Sequence, residues 1–69
     1  MPRYHIHFKA MRQQGSASEH IRTINTEYPI EYDSDIIDVQ EWAAKEVQAD
    51  SVMLLSWREL KGAERPQAD

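Results

Sequence analysis

Apolar and polar side chains alternate cleanly along the first segment of the chain, from Arg3 to Met11. The two sets of alternate positions are Tyr4, Ile6, Phe8 and Ala10 on one side, and His5, His7, Lys9 and Met11 on the other. A period of two with aromatic and β-branched residues predicts a β-strand. The small polar residues and single glycine between Arg12 and Ser18 predict a loop after it.

A second strand is predicted from Glu19 to Tyr28, because isoleucines and threonines are frequent there and Pro29 ends the ladder. Its alternation is broken, since Ile21 and Ile24 are three residues apart and cannot share a face of a regular strand. A β-bulge near Arg22–Thr23, or a position at the edge of the sheet, would accommodate both side chains.

The segment after Pro29 has the period of an amphipathic helix. Ser34 is the expected N-cap, with Asp33 as the alternative, and the helix is expected to end near Ala49–Asp50. An apolar stripe about 80° wide is formed by Ile36, Val39, Ala43 and Val47. Ile37 and Ala44 widen this stripe on one side and Trp42 widens it on the other, while the opposite face carries Asp38, Glu41 and Lys45.

A third strand is predicted from Ser51 to Leu60, and it is apolar on both faces. In a regular strand Val52 and Leu54 point one way, and Met53, Leu55 and Trp57 point the other. Residues 1–61 are therefore expected to form a single domain. The polar residues 62–69, which include Gly62 and Pro66, are expected to form a disordered tail.

These elements predict an α+β fold of order β-β-α-β, with one helix on one face of a three-stranded sheet. The second strand pairs with the first as a hairpin, and a crossover through the helix brings back the third. The sheet order 2-1-3 is preferred to 1-2-3, because the first strand alternates most cleanly and suits a central position. One helix covers one face, so part of the third strand is expected to stay exposed.

Composition and charge narrow the possible functions. The 69 residues include 8 Lys+Arg, 12 Asp+Glu and no cysteine, which excludes disulfides and thiolate metal sites. Residues 27–50 hold one lysine against eight acidic residues, a net charge of −7. This block is either a solvated helix face or an electrostatic surface for a basic partner. No apolar run is long enough to cross a membrane and no secretory leader is visible, so a cytoplasmic location is expected.

Two groups of residues are candidate partner-binding sites. The helix supplies Asp35, Asp38, Glu41 and Trp42, and the third strand supplies Met53, Leu55 and Trp57. Exposed apolar patches mark interfaces, and tryptophan is enriched in binding hot spots. A chain this short without disulfides gains from a second copy. The prediction is a homodimer through the open sheet face or a sheet edge, with Trp57 at its centre.

The histidines suggest a metal site only weakly. His5 and His7 project from the same strand face, and His20 on the second strand is the obvious third ligand. This spacing is common by chance, so no metal, no cofactor and no catalytic activity are expected. Nucleic-acid binding by the basic hairpin remains the alternative function. The net charge of −4 and the core positions of Tyr4 and Phe8 oppose it.

Several stretches resemble small proteins encoded by phages and prophages, over residues 4–60. The similar segments are Pro29-Ile30, Ser34-Asp35-Ile36, residues 42–46 beginning with Trp42, and residues 51–60 ending in Trp57-Arg58-Glu59-Leu60. In those proteins a strand pair precedes a helix and the last strand follows it. Their size and acidity are similar to those of anti-CRISPR and other anti-defence inhibitors. The resemblance implies a protein that acts by binding and modulating or inhibiting a host protein.

Overall fold

Three strands and one helix follow one another in the order β-β-α-β. The computed structural model describes residues 1–66 and places β1 at Arg3–Met11, β2 at Ala17–Asn25, α1 at Asp33–Glu46 and β3 at Ser51–Leu60. The sheet order is β2-β1-β3, and β1 is antiparallel to both neighbours. The predicted α+β class and the preferred 2-1-3 order are confirmed.

The core lies between α1 and the apolar face of β1. The side chains of Ile6, Phe8 and Ala10 are fully buried, and Tyr4 is nearly so. Val39 and Ala43 of the helix complete this layer with Ile30 from the β2–α1 connection. Because β1 has a neighbouring strand on each side, every apolar residue at its alternate core-facing positions is buried.

The pairing of β2 with β1 is regular from Arg3↔Asn25 to Met11↔Ala17. The expected bulge near Arg22–Thr23 is therefore wrong, and the strand both begins and ends earlier than predicted. The two isoleucines lie on opposite faces. Ile24 is opposite Tyr4 on the core side, whereas Ile21 is on the open side and 58% exposed. The edge position of β2, the second alternative, accommodates them.

The irregularity is in β3 instead. Phe8 pairs with Leu54 and His7 pairs with Ser56, so Leu55 is an extra residue without a partner in β1. An inserted residue exchanges the faces of all the positions that follow it. Trp57 consequently lies opposite the buried Ile6, on the helix side of the sheet. The prediction that Met53, Leu55 and Trp57 share one face is wrong for Trp57.

The helix begins earlier than predicted, with Tyr32 rather than Ser34 or Asp33 as its N-cap. The carboxylate of Asp35 explains the difference. It accepts the backbone N–H of Tyr32 at 2.9 Å and that of Glu31 at 3.0 Å. A carboxylate at the third helical position that bonds back to the N-cap amide fixes where the helix starts.

The helix ends at Glu46 with Val47 as C-cap, earlier than the predicted Ala49–Asp50. The N–H of Ala49 donates to the carbonyl of Ala44 at 2.8 Å, while Gln48 adopts a left-handed φ of 55°. This is the Schellman arrangement, in which the chain reverses direction and the final helical carbonyls are satisfied.

Polar contacts tie the hairpin turn to the end of the helix. Arg12 donates from Nη2 to the carbonyl of Val47 at 2.8 Å. The carboxylate of Asp50 accepts the N–H of Gln13 at 2.6 Å, and the N–H of Asp50 donates to the carbonyl of Met11 at 3.0 Å. These bonds fix the helix over the sheet at its carboxyl end.

Residues 62–66 follow β3 without helix or strand. The predicted tail over residues 62–69 continues into 67–69, which lie outside the described residues. Within residues 1–66 no helix has the length and apolar character needed to cross a lipid bilayer.

Candidate protein-binding surface

A groove runs between α1 and the edge strand β2. Its volume is about 470 Å³, and it is lined by Thr23, Ile24, Asn25, Thr26, Asp38, Val39 and Trp42. A second depression of about 260 Å³ shares Thr26, Asp38 and Val39 with it and extends to Asp35 and Tyr28. Because they share these lining residues, the two depressions are together called here the α1–β2 groove.

The groove combines an apolar floor with a carboxylate. Ile24 and Val39 belong to the packed core or its margin and form the floor. Trp42 stands at the side and is 41% exposed, so a large apolar surface remains in contact with solvent. Asp38 is exposed beside it. The structure therefore brings three of the seven predicted partner-binding residues into one groove: Asp38 and Trp42, with Asp35 in the second depression.

Asp35 lies at the far end of the groove and has a local role. The backbone N–H groups of Glu31 and Tyr32 lower the pKa of the Asp35 carboxyl below its ordinary value of 3.8. The Asp35 carboxylate therefore points toward the N–H groups at the start of the helix. Asp35 contributes to the negative potential of the groove, while its hydrogen-bonding capacity serves the cap.

The other four predicted partner-binding residues are not part of this groove. Glu41 is exposed on α1 but does not line it. Met53 is on the open sheet face, paired with Lys9, and Leu55 is the bulged residue of β3. Trp57 is 42% exposed beyond the opposite side of the helix. The seven candidate residues therefore do not form one surface. Some lie on α1 near the β2 edge, and the others lie on β3 at the opposite edge, on both faces of the sheet.

Thr23, Asn25 and Thr26 line the groove and were not predicted from the sequence. They are polar residues at the end of a strand, where such residues usually mark only the approach to a turn. Their involvement depends on the sheet order, which leaves β2 at an edge beside the helix. The predicted 2-1-3 order already placed the second strand at an edge of the sheet, and this was the one indication in the sequence that its residues could line a site.

The open face of the sheet carries a different set of charges. Lys9 is paired with Glu19 of β2, and His5 with Arg58 of β3. His7 contacts Glu19 at 3.0 Å between Nε2 and Oε1. With Arg3 on the same side, cations outnumber carboxylates on this face.

The three histidines do not share a face. His20 is opposite Phe8, and the two rings stack with centroids 5.4 Å apart. Its Nε2 lies 2.8 Å from the hydroxyl of Ser18. His20 therefore cannot act as the third ligand beside His5 and His7, and that candidate metal site is wrong as a geometry. Among residues 1–66 no three His, Cys, Asp or Glu side chains come together in a metal-binding arrangement.

Comparisons with protein-family models, with curated proteins and with solved structures gave no match.

Proposed function

We propose that this protein is a small non-enzymatic interaction module that binds a host protein with a basic surface. The observation that carries this proposal is the position of the Asp38 carboxylate beside the exposed Trp42 in the α1–β2 groove. Acidic residues steer a basic partner toward the surface, and a half-exposed indole supplies the apolar contact area.

The placement of the acidic residues supports the proposal. Glu31, Asp38, Glu41 and Glu46 are exposed on or next to α1, whereas Arg3, Lys9 and Arg58 lie on the open face of the sheet. The molecule is therefore electrostatically two-sided. Charges exposed to solvent act mainly on the association rate and on its salt dependence.

The resemblance to small phage and prophage proteins extends the proposal to a biological role. A host-directed inhibitor needs a compact surface rather than a catalytic site, and it acts in the cytoplasm of the host. We propose that this chain is mobile-element encoded and modulates or inhibits a host protein in this way.

The test begins with capture of host proteins by the tagged full chain and continues with the purified partner. The charge reversals Asp38→Lys and Glu41→Lys are expected to slow association and to weaken its dependence on ionic strength. Glu64→Lys, outside the helix and strands, is the charge-matched control for each single reversal, and Glu59→Lys with Glu64→Lys is the control for the double reversal; both are expected to bind like the wild type. Binding by the double reversal at the wild-type rate would contradict the proposal.

A second function is supported by the open sheet face. Arg3, His5, Lys9 and Arg58 lie together there, which is the charge that a nucleic-acid backbone requires. The aromatic residues Tyr4 and Phe8 are buried on the other side, so they are not free to stack on bases. A mobility-shift assay with single- and double-stranded DNA and RNA tests this alternative. Lys9→Glu with Arg58→Glu is the variant expected to abolish any shift.

The proposed homodimer uses the same open face. Ile21 is 58% exposed and Met53 is 51% exposed, on opposite sides of β1. A second copy would remove both from water. Because Trp57 lies on the helix side, it is not the centre of this contact.

A further inference from the structure

We propose that the α1–β2 groove receives an extended segment of the partner, which pairs as an added strand with the edge of β2. The segment carries an apolar side chain in the groove and a lysine or arginine two residues away, which meets Asp38. This inference rests on the proposed function, because it names the part of the basic partner that occupies the groove.

Within residues 1–66, the backbone of β2 has hydrogen-bonding groups beside the groove that no described residue engages. Two bonds establish which residues face β1: the N–H of Arg12 donates to the carbonyl of Ser16 at 3.0 Å, and that of Thr26 to Pro2 at 2.9 Å. Because hydrogen-bonded pairs alternate in an antiparallel ladder, the even-numbered residues of β2 bond to β1. The N–H and carbonyl groups of Thr23 and Asn25 therefore point away from the sheet.

Positions near this segment and on the opposite edge are engaged or irregular. The guanidinium of Arg22 donates to the outward carbonyl of Ile21 at 3.0 Å, which closes β2 on the amino-terminal side of Thr23. On the opposite edge of the sheet, Gln40 accepts the N–H of Leu54 at 2.9 Å, and the Leu55 bulge follows immediately. Bulges and side-chain caps block strand addition. The segment Thr23–Asn25 is thus the accessible pairing site next to the groove.

The groove determines which side chains an added strand needs. Alternate residues of a strand point to the same face and are about 7 Å apart. A residue facing Ile24 and Trp42 would be surrounded by apolar surface. The residue two positions along the added strand lies on the same face. It reaches the place where the two depressions meet, which is lined by Asp38. This order selects an apolar residue and a cation, separated by one residue.

The charge of the groove selects a basic segment over an acidic one. Glu27 and Asp35 line the second depression together with Asp38, and neither depression is lined by a lysine or arginine. An acidic strand would meet like charges at close range, whereas a lysine or arginine gains an ion pair at the rim of an interface.

Synthetic peptides provide the test. The probes are fluorescein-labelled peptides made of threonine, except for one leucine or phenylalanine and, two positions away, one lysine. Binding to the full chain is measured by fluorescence anisotropy. The matched control peptides carry glutamate in place of lysine, or shift the lysine by one residue to the other strand face.

Two substitutions at one position separate strand pairing from side-chain docking. Thr23→Pro removes an N–H that faces away from β1, so the fold is expected to persist, as checked by circular dichroism and thermal melting. It should reduce peptide affinity at least about tenfold, whereas Thr23→Ala should bind like the wild type. Asp38→Lys is expected to reverse the preference and favour the glutamate peptide.

Each failure has a distinct meaning. Equal binding by Thr23→Pro and Thr23→Ala would overturn the added-strand inference while leaving the acidic groove as the binding site. A free protein that dimerises, and that Thr23→Pro turns into a monomer, would overturn it too, because a second copy would occupy the edge. No affinity of any probe up to about millimolar would also overturn it. Loss of peptide binding with Thr23→Pro but not with Asp38→Lys or Trp42→Ala would support pairing at the edge, but it would contradict both the side-chain order inferred for the groove and the proposed function.

Discussion

The side-chain oxygen of Gln40 accepts the backbone N–H of Leu54 at 2.9 Å, which joins the middle of α1 to the edge of β3. A helical residue here performs the task that a neighbouring strand would perform. The bond satisfies a part-buried donor and at the same time prevents its use by another chain. Gln40 therefore contributes both to stability and to the solubility of this edge.

Replacement of Gln40 by alanine is expected to lower the free energy of unfolding by about 1–3 kcal/mol, because the Leu54 N–H loses its partner. Urea unfolding followed by tryptophan fluorescence measures the change. Glu41→Ala, at the next helical position and exposed to solvent, is the control and is expected to change stability by less than about 0.5 kcal/mol. Equal effects of the two substitutions would show that the bond is not significant.

The cap at the start of the helix predicts a pH dependence. The pKa of Asp35 is lowered in the folded chain by the N–H groups of Glu31 and Tyr32. Its contribution to stability is therefore present above the unfolded value near 4, and is lost as the pH falls through the lower folded value. Asp35→Asn is expected to be less stable than the wild type at neutral pH and to lose less on acidification. Parallel acid profiles of the two proteins would refute this.

The left-handed residue at the end of the helix predicts a stabilising substitution. Gln48 has a φ of 55°, a conformation that costs a non-glycine residue energy and that glycine adopts freely. Gln48→Gly is expected to raise the free energy of unfolding by up to about 1 kcal/mol, a change visible in thermal melts. Glu41→Gly, at an exposed position inside the helix, should instead destabilise the protein, so the gain at Gln48 would not be a general effect of introducing glycine.

The bulge in β3 predicts that one deletion is tolerated. Removal of Leu55 leaves Trp57 opposite Ile6 and Glu59 opposite Tyr4, because Leu55 has no partner in β1. The protein lacking Leu55 is expected to unfold cooperatively, with the fluorescence maximum of Trp57 nearly unchanged. Deletion of His7 instead makes Ile6 and Phe8 neighbours in β1, so one of these two buried side chains must move to the open side, and folding is expected to fail. If both deletions unfold the chain, the register of β3 is not as described.

The predicted dimer is tested by sedimentation equilibrium over micromolar concentrations. Association through the open face is expected to be weakened by Ile21→Ser and by Met53→Ser, which remove apolar area from that face. Trp57→Ala, on the helix side, is the control and should leave the mass unchanged. A mass of 8.1 kDa, that of one chain, throughout the range would contradict the dimer.

The sequence predicted the fold more completely than the site, and particular residues show why. Tyr4, Ile6 and Phe8 alternate without exception, so both the strand and its central position were visible. The extra residue Leu55 lies in an apolar run where both faces look alike, and a shift of register leaves no trace in such a pattern. Asp35 suited the first turn of a helix, but the pattern did not show that its carboxylate would bond back to Tyr32.

The site was predicted only in part, because it consists of side chains that the sequence pattern reveals and of backbone groups that it does not. Trp42 at the margin of the helical stripe and Asp38 on the polar face were both identified from periodicity. The free backbone of Thr23 and Asn25 has no side-chain signature, since every residue carries the same amide. It became visible only when the sheet order and the alternation of the ladder were known.

The central position of β1 has a consequence for the order of events during synthesis. Of the three strands, β1 is made first but needs both neighbours, and one of them, β3, is made only after α1. Until Leu60 has left the exit tunnel, the growing chain holds a two-stranded hairpin with one side of β1 unpaired, and such hairpins are marginal in water. The fold is therefore completed late, and a chain interrupted before β3 is made would hold an unfinished sheet with an edge open to aggregation.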